Sequence, residues 1–276
     1  TDSNMLTGFT STGFNLGSTN ATNNNSSRFV AWTWKSAANF FDVVTYTGNS
    51  TARTISHNLG SVPGMIIIKE TTGSGDWIVY HRGNTGAPQT DALKLHSTVA
   101  TTDNAGYFND TAPTSTEFSL GNHTDANGNG KTFIAYLFAH NDSTISCGSY
   151  TGNGSNTGPS VNVGFEPEFV MIKSSTGSES WYVYDTARGM VVGGDDAELA
   201  WNLNNEEDSI LGTNKAILDP TATGFNITNT SSTANTNSHT YVYMAIKKIN
   251  PKQTIDLSTG NRFSFTPTAA VTIELT

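Results

Sequence analysis

Three stretches of the chain carry apolar groups on both faces: Val30-Ala31-Trp32-Thr33-Trp34, Ile134-Ala135-Tyr136-Leu137-Phe138 and Val242-Tyr243-Met244-Ala245-Ile246. Side chains alternate across a strand, so a strand of this build needs cover on both sides. One face lines a core; the other needs a loop, a neighbouring repeat or another subunit over it. Shorter runs, Met65-Ile66-Ile67-Ile68-Lys69 and Phe169-Val170-Met171-Ile172-Lys173, are rich in branched groups and bounded by Pro, Gly and Ser, which reads as buried strand. Trp77-Ile78-Val79-Tyr80-His81 follows the first of these after a Gly, Ser and Thr loop, a hairpin signal. No stretch sustains a helical period, and turn-forming pairs break the chain roughly every ten residues. The pattern predicts an all-β protein of tandem β-sandwich repeats, jelly-roll or lectin-like.

Self-similarity sets the organisation. Val43 to Gly83 aligns with Ile145 to Gly189: Tyr-Thr-Gly-Asn at 46 to 49 returns at 150 to 153. Pro63 and Pro167, Lys69 and Lys173, Trp77 and Trp181, and Tyr80 and Tyr184 are each 104 positions apart. The closing half of the unit occurs three times, beginning at Phe9, Ala112 and Asp219, and each time a polar loop leads into one of the two-faced strands. The expected division is residues 1–37 as the closing part of a preceding repeat, 38–141 and 142–249 as β-sandwich repeats, and 250–276 as the start of a further β domain.

Composition narrows the function. Charged residues are only 13% of the chain, yet 14 Phe, 9 Tyr and 5 Trp argue for a folded, loop-rich protein over a disordered one. A net charge of -9 without basic clusters speaks against nucleic acid. No apolar run is long enough to insert as a membrane helix. The single cysteine, Cys147, allows no internal disulfide and reads as a small buried hydrophobe.

Motifs for chemistry are weak. Asp125 to Thr132 ends like a phosphate loop in Gly130-Lys131-Thr132, but a strand follows where a helix is needed. The same stretch opens like a calcium loop, Asp125-x-Asn127-x-Asn129-Gly130, but the closing acid position is Tyr136, and a turn using Asn and Gly at positive φ accounts for it better. No metal and no cofactor are expected. Of the acidic pairs Asp195-Asp196 and Glu206-Glu207, neither has the spacing that sets two carboxylates across a cleft. The remaining constellation is aromatic with charged neighbours: Trp77, Tyr80, His81 and Arg82 in one repeat, Trp181, Tyr184, Asp185 and Arg188 in the next. Such groups hold sugar rings by stacking and directional polar contacts when they are exposed. The competing reading makes the aromatics core and pairs the Arg with a carboxylate to tie down the loop after the strand.

The succession YTGN, then GSVPGMIIIK or GFEPEFVMIK, then WIVYHRG or WYVYDTARG, then STGFNLG and a closing YVAW-type strand resembles an uncharacterised β-rich repeat of tail fibres and related virion proteins of tailed bacteriophages. The ending TIDLSTGNRFSF is similar to a segment common in phage fibre proteins. The resemblance implies a virion-associated, extracellular appendage, trimeric by preference and in contact with other virion proteins, whose tandem domains form a shaft or an adhesive tip toward a host surface glycan. It carries over no functional residue and implies no enzyme. The aromatic clusters and acidic pairs leave a polysaccharide depolymerase as the alternative, and attachment to the capsid as a decoration or fibre protein is a variant of the first reading.

Overall fold

The structure, a computed structural model, describes residues 5–207 and 216–248. The expected further domain at 250–276 lies outside the described residues. The chain divides into two compact units, one up to Lys35 and one from Ser36 onward. In the first unit, strands β1 (Leu6–Phe9) and β2 (Phe14–Leu16) form an antiparallel hairpin, followed by a single helical turn, α1 (Asn20–Asn23).

The second unit begins with β3 (Phe41–Thr47), β4 (Arg53–Ser56), β5 (Met65–Glu70), β6 (Trp77–His81), β7 (Asp91–Lys94) and β8 (Thr102–Asp103). Then come α2 (Ala105–Phe108), β9 (Glu117–Leu120), α3 (Thr124–Asn127) and β10 (Thr132–Phe138), which close the first repeat. The second repeat comprises β11 (Ile145–Thr151), β12 (Ser160–Asn162), β13 (Pro167–Ser174), β14 (Tyr182–Asp185), β15 (Leu199–Ala200), β16 (Leu218–Thr221), β17 (Gly224–Ile227) and β18 (Thr240–Lys247).

The fold is all-β, built from antiparallel sheets. The main sheet of the first repeat runs β3-β10-β5-β6-β7-β8, and that of the second β11-β18-β13-β14-β15. The last strand of each repeat is therefore central, between the first and third. Each main sheet has a smaller partner: β4-β9 in the first repeat and β12-β17-β16 in the second. The two layers of the second repeat share one core, Val170, Ile172, Tyr184 and Tyr243 from the large sheet against Val161, Leu218, Phe225 and Ile227 from the small one. In the first repeat Tyr46 stacks on Phe133 at 5.3 Å and meets Phe118 of β9 edge-on at 6.4 Å. Aromatic pairs at these separations add to the stabilisation from area alone.

The pattern did not announce the helical turns. Each has four residues, too few to show a period, and two are set by local caps. The Asn104 side chain accepts from the Gly106 N–H, and His123 Nδ1 accepts from the Asp125 N–H. A second difference concerns Val30 to Trp34, expected as a strand. Residues 27–36 form no strand, whereas their copies β10 and β18 do. The reason lies in the ladder: β10 bonds to β3 and β5, β18 to β11 and β13, and no described strand flanks residues 27–36 in that way.

The two-faced strands find their second cover in the other repeat. Alternation turns Tyr241, Tyr243 and Ala245 of β18 into the core and Val242 and Met244 outward. Along that outer face the register aligns Val183, Met171, Met244 and Cys147, each at most 1% exposed. The first repeat lies over it. Trp181 Nε1 donates to the Lys94 carbonyl at 2.9 Å, Lys173 Nζ to that of Thr98 at 3.2 Å, and the Thr101 N–H to that of Ser175 at 2.9 Å. Gly83 rests on the backbone of Gly148 so closely that a Cβ would fall 2.7 Å from the Gly148 carbonyl carbon. The two repeats are thus joined along a buried seam.

Candidate functional site

Alternation along β6 decides where the first cluster goes. Trp77 and His81 point to the outer face of the sheet, Tyr80 to the inner one. Tyr80 is buried against the edge of Phe108, ring centres 5.6 Å apart, and its phenol pKa is raised by burial. Trp77 is half-buried, with Lys69 Nζ 5.8 Å above its ring. His81 is buried at the seam. Its Nδ1 accepts from the Gly83 N–H at 3.1 Å, so Nε2 carries the proton that meets the Tyr243 carbonyl at 3.0 Å. Burial pushes its pKa down to about 4. Arg82 is exposed, and its backbone N–H donates to the Gly64 carbonyl. Trp77 and Arg82 stand at opposite ends of a strand roughly 16 Å long.

The second cluster is more deeply enclosed. Trp181 is 1% exposed at the seam. Tyr184 is fully buried, its hydroxyl 3.4 Å from Glu198 Oε2, and burial raises its pKa well above that of free tyrosine. Arg188 ties down the loop after β14: Nε donates to Asp185 Oδ2 at 2.7 Å, one terminal nitrogen to Glu207 at 2.9 Å and the other to the Val183 carbonyl at 2.9 Å. The eight residues do not converge on one surface. Five of them, Tyr80, His81, Trp181, Tyr184 and Asp185, are buried.

What the repeats do share is a hub that sequence reasoning passed over. Asn127 is fully buried between the Tyr-Thr-Gly-Asn loop and the turn before β10. Its Oδ1 accepts from the Asn49 N–H at 3.1 Å, and its Nδ2 donates to the Thr51 carbonyl at 2.8 Å and the Gly121 carbonyl at 2.7 Å. Asn235 repeats the arrangement: it accepts from the Asn153 N–H at 2.8 Å and donates to Ser155 and Asn229 at 2.8 and 2.7 Å. The tyrosine of the motif adds a further clamp, Tyr46 to the Ala126 carbonyl and Tyr150 to that of Ala234, at 2.6 and 2.8 Å. The glycine is required because the backbone of the Asn127 or Asn235 turn lies directly on it; a Cβ at Gly48 or Gly152 would enter that backbone. The Asn127 carboxamide is thereby spent within the protein. The loop that opens like a calcium site has turned one of its ligand positions inward.

The other motifs resolve in the same terms. Lys131 pairs with Glu70 at 2.9 Å, and β10 starts at Thr132, immediately after it. Asp196 is buried and its Oδ2 accepts from the N–H groups of Ile217 and Leu218 at 2.7 and 2.8 Å. Burial lifts its pKa to about 6. Among the described residues no three His, Cys, Asp or Glu side chains gather as a metal cage, and no helix is long and apolar enough to cross a membrane. One open depression of about 370 Å³ lies beside the hub, between Ser50 and Thr51 on one side and Ala105, Asn109 and Asn122 on the other.

A known protein family matches residues 1–249, across both repeats and the first unit. The chain belongs to DUF7483, a domain of unknown function. No curated protein and no solved structure matches it. The stretch matched by DUF7483 contains the hub three times in part: in the first unit Asn23 Nδ2 donates to the Gly17 carbonyl at 2.8 Å, the same six-residue step that links Asn127 to Gly121 and Asn235 to Asn229.

Proposed function

We propose that this chain is a structural and adhesive module of a bacteriophage tail fibre or related virion appendage, which spaces or presents a surface that binds the host receptor. The supporting observation is how the duplicated side chains are used. Asn127 and Asn235 hold loops, Tyr46 and Tyr150 clamp them, and Lys69 and Lys173 bond to the carbonyls of their own hairpin loops, Gly73 and Gly75 in one case, Ser174 and Gly177 in the other. Copied positions serve rigidity, and polar loops are left for contact. In this reading the protein acts outside the cell as a homo-oligomer, a trimer by preference, beside other virion proteins and against a host glycan.

Immunogold labelling of purified particles tests the location, with label on tail or other appendages expected and unlabelled particles overturning it. Glycan arrays probed with the assembled protein test the adhesive part: absence of binding reduces the module to a spacer. New reducing ends released from host polysaccharide would favour a depolymerase instead.

A further inference from the structure

Residues 5–35 reproduce the closing elements of a repeat. Their hairpin is the one that β16 and β17 make: Leu6 pairs with Leu16 as Leu218 pairs with Ile227, and the Gly17 N–H bonds to the Met5 carbonyl as the Thr228 N–H bonds to that of Ile217. The hub turn is formed as well. The Asn23 N–H bonds to the Thr19 carbonyl, as Asn127 does to His123 and Asn235 to Ser231. At the same distance beyond each of these asparagines the closing segment begins, at Arg28, Thr132 and Thr240.

What differs is the cover. Leu16 is 41% exposed and Phe29 52%, whereas Leu120 and Phe133, at the same two places in the first repeat, are fully buried. Phe9, beside the hairpin turn, is 77% exposed. In the complete repeats three parts of the opening half close these elements. A strand lies along the hairpin edge, β4 on β9 and β12 on β17; a strand lies on each side of the closing segment; and the Tyr-Thr-Gly-Asn loop sits on the hub asparagine. Among the described residues the first unit has none of the three. There β2 pairs with β1 alone, residues 27–36 belong to no ladder, and Asn23 bonds to Gly17 with no loop facing it.

We propose that residues 5–35 are a docking unit for the opening half of a further repeat of this family, one from outside these 276 residues. The two closed repeats specify the occupant and its register. In the first, Ile134 stands between Thr45 of β3 and Lys69 of β5, and Val30 takes its place. Phe29 takes that of Phe133, which stacks on Tyr46 at 5.3 Å, as Tyr241 stacks on Tyr150. Asn23 then holds the incoming Tyr-Thr-Gly-Asn loop as Asn127 and Asn235 hold theirs. In such strand addition the backbone ladder supplies affinity and the side-chain places select the partner. A second copy of this chain is not that partner: β10 and β18 already fill its opening halves, and Asn127 and Asn235 already hold its loops. The inference rests on repeat geometry and not on where the protein acts, so it and the virion assignment fail separately.

The test adds to the intact chain a synthetic peptide of residues 38–71, which carries the sequence of β3, β4 and β5, and follows amide hydrogen exchange. A shorter peptide of residues 41–51, β3 with its loop, serves where the longer one does not stay in solution. In the chain alone the amides of residues 28–34 are expected to exchange much faster than those of β10. Saturating peptide should slow them about tenfold or more. Val30→Pro should abolish that protection, and in the free chain it breaks no ladder, because residues 27–36 form none. Gly48→Val in the peptide should do the same, since a side chain at that glycine enters the backbone of the hub turn. Asn23→Ala should weaken peptide binding about tenfold. Amides 28–34 that are already slow in the chain alone, no protection by either peptide, or equal protection by the Gly48→Val peptide overturns the inference. Protection that rises with the concentration of the chain alone would give the unit to a second copy and overturn the choice of partner.

Discussion

The imidazole of His81 bridges the two repeats by donating Nε2–H to the Tyr243 carbonyl, and it can do so only while Nδ1 is unprotonated and accepts from Gly83. A second proton would set two N–H groups against each other inside the seam. The unfolded chain binds that proton near pH 6.5, the folded one only near 4. The stabilisation is therefore complete above 6.5 and is lost as pH falls through that window. From pH 7 to 5 the loss from this group is about 2 kcal/mol. Asp196 works in the opposite sense, its raised pKa removing stability as pH climbs through about 6. Comparison with His81→Gln isolates the histidine: urea unfolding should show the wild type losing about 2 kcal/mol more than the variant over this range. Parallel curves would refute the assignment.

Asn127→Ala should be among the costliest polar changes in the protein. It removes the partner of the part-buried Asn49 N–H and Thr51 carbonyl and of the buried Gly121 carbonyl, at about 3 kcal/mol in total. Asn235→Ala should cost a similar amount in the other repeat. Asn→Asp at either position keeps the acceptor and loses both donated bonds, so it too should destabilise. Thermal and urea unfolding midpoints measure all of these.

Lys173 and Lys69 occupy equivalent positions but differ in cover. Lys173 is fully buried with three carbonyls around its ammonium, from Thr98, Ser174 and Gly177, and burial brings its pKa down to about 8. Lys173→Met leaves those carbonyls without a donor and should cost about 3 kcal/mol. Lys69→Met should cost roughly 1 kcal/mol or less, because water reaches the carbonyls it vacates. Equal costs for the two would contradict the difference in burial.

Cys147 offers a reporter for the seam. Its thiol is buried and pushed up to about 12, so the nucleophilic thiolate is scarce at neutral pH. A thiol reagent should leave the native protein unmodified and react fully in denaturant. Gly83→Val, which forces a side chain onto the Gly148 backbone, should speed labelling without unfolding the whole chain.

The all-β class and the repeat were legible because β-branched runs such as Met65 to Ile68 and spacings such as Lys69 to Lys173 are properties of the sequence itself. The hub was not. Asn127 sits among Asn, Gly and Thr residues that all read as turn formers, and its task depends on which backbone groups the fold brings to it from the Tyr-Thr-Gly-Asn loop. Trp77 and Trp181 show the same limit from another side. They share a motif, yet one is half-buried and the other sealed, because cover is decided by what packs above the sheet. Val30 to Trp34 has the apolar pattern of a strand, but a strand also needs neighbours to bond to.

The central place of β10 and β18 has a consequence for biosynthesis. Each is the final strand of its repeat to leave the ribosome, and it must slot between two strands made much earlier. Until it arrives, β3 and β5, or β11 and β13, have no common partner and their edges are open to mispairing. Each sheet therefore closes late and in one step, a high-contact-order event that makes folding slow and ties its completion to translation of the last eight or so residues.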